Sequence, residues 1–144
     1  MAANKEPVFI LTPLNITQNT QIANTFANGD GTAAKDIVNG ATDGTVIQDL
    51  ICTSSSTGAE LIKVLLLDAD GGTARLIGTV NVPALSGTNG TTPSVSLLNT
   101  TDIPSLAKRD DGALLLAAGQ KLQCAPVAAV DDNLVTITAI GGNL

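Results

Sequence analysis

The stretch from residue 60 to 82 limits what this chain can fold into more than any other. Glu60-Leu-Ile-Lys-Val-Leu-Leu-Leu67 and Ala74-Arg-Leu-Ile-Gly-Thr-Val-Asn-Val82 are two apolar runs separated by Asp68-Ala-Asp-Gly-Gly-Thr73. Each run is too short for a stable buried helix. The Asp and Gly residues between them supply the side-chain hydrogen bonds and the positive φ that a tight turn needs, so the segment predicts a β-hairpin. Pro83, which has no N–H to donate, ends the second strand.

The same grammar runs through the chain. Further strands are predicted over Thr20 to Phe26, Thr32 to Val38, Thr45 to Thr53, Ser94 to Leu98, Ala113 to Ala118, Gln120 to Val130 and Leu134 to Ile140. They are broken by turn clusters such as Ala27-Asn-Gly-Asp-Gly31 and Asn39-Gly-Ala-Thr-Asp-Gly44. In the Thr45 strand, alternation sets Val46, Leu50 and Cys52 on one face, with Ile47 and Ile51 opposite. In the last strand it sets Val135, Ile137 and Ala139 against Leu134, Thr136, Thr138 and Ile140. Ile103 to Lys108 has room for one helical turn at most. About seven to nine short strands at turn spacings of roughly 8 to 12 residues predict an all-β fold, an antiparallel, jelly-roll-like β-sandwich. Its expected extent is residues 20 to 144 as one domain.

Residues 1 to 19 read differently. Pro7-Val-Phe-Ile-Leu-Thr-Pro13 is apolar and bounded by two prolines, which discourage both a helix and a central strand. An extended N-terminal arm is predicted, lying either along its own domain or across a neighbour. Its candidate contact residues are Val8, Phe9, Ile10 and Leu11.

Composition narrows function by exclusion. The 144 residues include no His, no Trp and no Tyr, and only two Phe. Without imidazole there is no Ser-His-Asp or Cys-His nucleophile system and no imidazole metal ligand, so no enzyme activity is expected. The net charge of -6 and the scarcity of rings argue against a nucleic-acid partner. Hydrophobic residues at 44% and charged residues at 14% describe a chain that folds rather than a disordered one, with outer surfaces that neighbours can cover. Cys52 and Cys124 match no zinc or redox spacing; buried free thiols are expected, with a disulfide open if their strands pair.

The Asp pairs 68/70, 110/111 and 131/132 are read as turn tips rather than metal ligands, and Lys108-Arg109 as surface pairing with Asp110-Asp111. No cofactor or metal is expected. Met1-Ala-Ala-Asn-Lys-Glu-Pro7 carries no secretion-signal pattern and no apolar run approaches ~18 residues, so the expectation is a protein made in a cytoplasm, with no membrane partner.

Several stretches together carry a resemblance: Pro7 to Pro13, Ala23-Asn-Thr-Phe-Ala-Asn-Gly-Asp-Gly-Thr32, the Gly40 to Gly44 turn before a strand, the Asp68 hairpin, and Ala139-Ile-Gly-Gly-Asn-Leu144. In succession they resemble small virion proteins of tailed bacteriophages. Members often end with an aromatic or small residue followed by Gly-Gly-Asp; here Ile140 and Asn143 stand in those places. The resemblance implies a β-sandwich subunit of a virus particle, foremost a capsid decoration, or cement, protein on the capsid surface. Its implied partners are the major capsid protein and further copies of itself, commonly as a trimer, and it would be made in the cytoplasm of a host bacterium. The alternative is a tail fibre, baseplate or receptor-binding module, against which the absence of Trp and Tyr weighs, since glycan sites are usually built on rings. A carboxylate-pair hydrolase is the third and weakest reading.

Overall fold

The computed structural model describes residues 12–13, 20–22, 34–72, 74–104, 106, 113–128 and 134–144. Among them are ten strands and no helix: β1 (Thr12–Pro13), β2 (Thr20–Ile22), β3 (Lys35–Asn39), β4 (Thr45–Ser54), β5 (Glu60–Leu67), β6 (Arg75–Val82), β7 (Val95–Ser96), β8 (Leu114–Leu116), β9 (Lys121–Pro126) and β10 (Val135–Asn143). The Leu106 N–H donates to the Ile103 carbonyl at 3.1 Å.

All pairings are antiparallel, and they nest. The first strands, β1 and β2, both pair with the last, β10. Next inward, β3 pairs with β9, β4 with β7 and β8, and β5 with β6 at the centre. Two further pairings, β10 with β4 and β9 with β5, join these nested pairs into two sheets. One sheet runs β1/β2, β10, β4, β7/β8; the other runs β3, β9, β5, β6. A long hairpin folded over on itself in this way is a jelly-roll sandwich, as the turn spacing predicts.

The core lies between the sheets. Leu50 and Cys52 of β4 and Val135 and Ile137 of β10 meet Ile62 and Val64 of β5, Val80 and Val82 of β6 and Leu122 and Cys124 of β9. Among the described residues, aliphatic side chains and two thiols fill this cluster. The expected face assignment of β4 needs one correction: Ile47, not Val46, joins Leu50 and Cys52 in the core. The register with β10 steps from Ile140↔Asp49 to Gly141↔Ile47, leaving Gln48 as an extra residue on β4. That bulge reverses the alternation, so side chains three apart point the same way. Gly141 makes the bulge possible, because a Cβ there would run into the carbonyl oxygen of Val46.

Cys52 and Cys124 are free and buried on opposite sheets, not on paired strands. Thr12 and Pro13, read from sequence as part of the arm, pair with Asn143 and Gly142 at the edge of the first sheet. Proline is tolerated at such an edge because its missing N–H faces away from the ladder.

Candidate functional site

The four residues singled out in the arm, Val8, Phe9, Ile10 and Leu11, lie outside the described residues. So do Phe26, Gly29 to Gly31, Lys108 to Asp111, and Asp131 and Asp132. The Asp68 hairpin is described, and its carboxylates serve the turn. Asp68 forms an ion pair with Arg75 at 3.0 Å, and the Asp70 carboxylate accepts the Gly72 N–H at 3.0 Å. Among the described residues, no group of three or more metal-ligating side chains comes together.

The feature that stands out is an apolar pocket of about 430 Å³ at one lateral side of the sandwich. One wall is Leu66 of β5 with Leu76 and Ile77 of β6; the other is β8, through Leu114, Leu115 and Leu116. Ile103 and Leu106 of the link between β7 and β8 complete it.

Its shape follows from two local departures from strand regularity. The β5–β6 register steps from Val64↔Gly78 to Leu65↔Leu76, so Ile77 is an extra residue. Adjacent residues on a regular strand point to opposite faces, but the bulge turns both Leu76 and Ile77 toward the pocket. The other departure is at Gly78, where a Cβ would come within 2.5 Å of Ile103. The bare backbone there lets Ile103 press against β6 and hold the link in position.

Two of the pocket residues are open to solvent, Leu76 at 53% and Leu115 at 48% exposure. Among the described residues, β6 pairs only with β5 and β8 only with β4, so each is the last strand on its side of its sheet. An aliphatic cleft between two such strands can accept apolar side chains and the backbone of an extended segment together. Among the described residues, the lining carries no charged or polar side chain to orient a sugar or a reacting group. Sequence reasoning did not find this site, because its walls come from strands about 40 residues apart and from a bulge that alternation does not foresee. One local signal was present: in Ala113-Leu-Leu-Leu-Ala117 the middle leucine of a short strand must point opposite to its neighbours.

A second, polar cluster lies on the outer face of the other sheet. The Lys121 ammonium and the Gln123 amide donate to the two carboxylate oxygens of Asp36 at 2.7 and 2.6 Å. Burial acts to raise the Asp36 pKa, but the hydrogen bonds from Gln123 and Lys121, with the charges of Lys121 and Lys35, outweigh it and hold the carboxyl below its ordinary value. The cluster ties β3 to β9 at their edge. The thiols are inert by the same kind of reasoning: burial pushes Cys52 up to about 12, and burial together with the neighbouring Cys52 pushes Cys124 still higher. Neither has the thiolate character that nucleophilic or redox chemistry requires.

In the 83–93 loop, Leu85 holds a left-handed backbone with φ of 58°. Its N–H donates to the Ser56 carbonyl at 2.9 Å, and Ser54 donates in turn to the Ser86 carbonyl at 2.9 Å. The strain is thus held by two hydrogen bonds, one to the end of β4 and one to the loop after it. Comparison of the chain with protein-family models, with curated proteins and with solved structures returned no match.

Proposed function

We propose that this chain is a virion structural protein, a capsid decoration subunit that binds the outside of a phage capsid and stabilises it through contacts with the major capsid protein and with other copies of itself. The observation that carries the reading is the solvent-open aliphatic strip around Leu76 and Leu115, set between β6 and β8, which among the described residues are the last strands on that side of their sheets. Contiguous exposed apolar surface of this kind marks protein–protein or membrane contact sites and ligand grooves. The chain-long succession of motifs resembling small phage virion proteins narrows the partner to a capsid. The aliphatic lining among the described residues suits this reading better than the tail alternative, because a glycan-binding module needs polar groups or rings at its site.

The test is capsid binding with residues 1–11 removed, a cut that leaves Thr12 and Pro13 in the first sheet. The expected outcome is a folded domain that no longer co-sediments with capsids, while the full chain binds in a copy number that follows the capsid lattice. Full binding by the shortened chain, or a copy number of only a few per particle, would overturn the proposal.

A further inference from the structure

The described residues hold two Asn-Gly sequences, Asn39-Gly40 and Asn89-Gly90, and the fold treats them oppositely. An asparagine followed by glycine can modify itself. The backbone nitrogen of the next residue attacks the side-chain amide carbon, and glycine has no Cβ to crowd that approach. A third such sequence, Asn28-Gly29, lies outside the described residues.

At the first sequence the attacking nitrogen is tied down. Asn39 is the last residue of β3 and pairs with Lys121. The Gly40 N–H donates to the Gln120 carbonyl at 2.7 Å, and the carbonyl oxygen of Ala117 fills the place where a Gly40 Cβ would stand. Turning the Gly40 peptide toward the Asn39 side chain would break the first contact and disturb the second.

At the second sequence the reacting groups are brought together in the open. Asn89 and Gly90 are exposed, and Gly90 holds a left-handed backbone with φ of 73°. Among the described residues no acceptor takes its N–H. The Asn89 side chain folds back over the backbone that follows: Oδ1 accepts the Thr91 N–H at 2.9 Å and the Thr92 N–H at 2.8 Å. Its amide carbon therefore lies beside the Gly90 peptide. Attack at that carbon drives negative charge onto Oδ1, where two N–H groups already point. Nδ2, the leaving nitrogen, donates to Thr92 Oγ1 at 3.3 Å, a hydroxyl that can supply it with a proton.

Asn99 separates the two requirements. Its Oδ1 accepts the Thr101 and Asp102 N–H groups at 3.0 and 2.8 Å, but the next residue is Thr100, whose branched Cβ crowds the nitrogen. Asn39 has the glycine without the freedom, and Asn99 has the donors without the glycine. Asn89 has both.

We infer that Asn89 is a site of self-modification, converted to aspartate and isoaspartate through a cyclic imide with Gly90. The Gly90 nitrogen bonds to Asn89 Cγ and gives up its proton; the Cγ–Nδ2 bond breaks and ammonia leaves. Water, the sole co-reactant, then opens the imide. Addition at Cγ gives aspartate, and addition at the main-chain carbonyl gives isoaspartate. Either product puts a negative charge into the 83–93 loop, which has no charged residue of its own. Aspartate keeps an acceptor for Thr91 and Thr92, whereas isoaspartate reroutes the backbone through the side chain and dismantles the turn. The chemistry is the same whatever the chain binds.

The test is incubation of the folded, full-length protein in heavy-oxygen water at mildly alkaline pH. Peptide mapping by mass spectrometry reads each asparagine separately, and enzymatic methylation detects isoaspartate. Asn89 should convert at least about tenfold faster than Asn39 or Asn99, the rate effect of one net hydrogen bond on the developing charge. It should take up one heavy oxygen and yield both products. In the urea-unfolded chain Asn39 should react as fast as Asn89, while Asn99 stays slow. Gly90→Ala should slow conversion of Asn89 at least about tenfold, with circular dichroism unchanged. An Asn89 that stays intact, equal rates at Asn39 and Asn89 in the folded protein, aspartate without isoaspartate, or an undiminished rate in Gly90→Ala would each overturn the inference.

Discussion

The two lateral sides of the sandwich are built from the same residue types and end differently. On one side β2 and β10 lie against β3, and Ile37 and Val38 of β3 are buried. On the other side the terminal strands β6 and β8 are held apart by the Ile103 link, and the leucines there line an open pocket. Leu, Ile and Val thus serve as core on one side and as exposed surface on the other. What separates the two roles is whether another strand of the same chain covers them.

Three measurements would break or sharpen that contrast, taken from the largest effect to the smallest. Leu50→Ala and Ile62→Ala remove fully buried side chains from the middle of the core and should each cost about 2–5 kcal/mol in denaturant unfolding. A cost under about 1 kcal/mol would mean that the inter-sheet cluster is not the cooperative core.

The next effect comes from alkaline pH. An unfolded thiol ionises near about 8.5, whereas folding holds Cys52 protonated up to about 12 and Cys124 beyond that. Above the unfolded value the unfolded chain binds fewer protons than the folded one, so stability falls as pH rises. The loss is on the order of 1 kcal/mol per thiol per pH unit and continues up to the folded value. Melting curves at about pH 8 and about pH 10 should separate accordingly. The double variant Cys52→Ala/Cys124→Ala should fall less over that interval, and an equal fall would assign the pH dependence to other groups.

The smallest effect is expected at the open side. In a chain lacking residues 1–11, Leu76→Ser and Leu115→Ser should each change stability by no more than about 0.5 kcal/mol. A loss of core size there would show that the pocket belongs to the folding unit and would erase the distinction between the two sides.

Much of the fold is legible in the sequence because turn chemistry is local. The Asp and Gly residues at 68 to 72 mark the β5–β6 hairpin, and the alternation in β10 puts Val135 and Ile137 inside. Alternation fails where a bulge intervenes. Nothing near Gln48 announces that it is unpaired; the cause is Gly141, 93 residues later, whose lack of a side chain lets the strands approach. The pocket was illegible for a related reason. Leu76 and Leu115 look like ordinary strand leucines, and only the closure of two distant strand edges around Ile103 decides that they stay uncovered. Short apolar runs also overstate strand length: Leu97 and Leu98 are fully buried yet lie beyond β7, which ends at Ser96.

The nesting of first strand on last has a consequence for how the molecule comes into being. β10 is an interior strand of its sheet, flanked by β1/β2 on one side and β4 on the other, yet it is the last of the ten to be synthesised. At about 5–20 residues per second the ribosome leaves β1 and β2 waiting on the order of ten seconds for a partner. During that interval β4 also lacks its longest pairing, while the central hairpin of β5 and β6 is complete and free to form. Folding of the first sheet is therefore delayed until its final strand emerges, and it then depends on contacts between residues more than a hundred positions apart, such as Thr12 and Asn143, a separation that slows folding. In the meantime, an apolar nascent chain with open strand edges has to be kept from its neighbours on the same messenger.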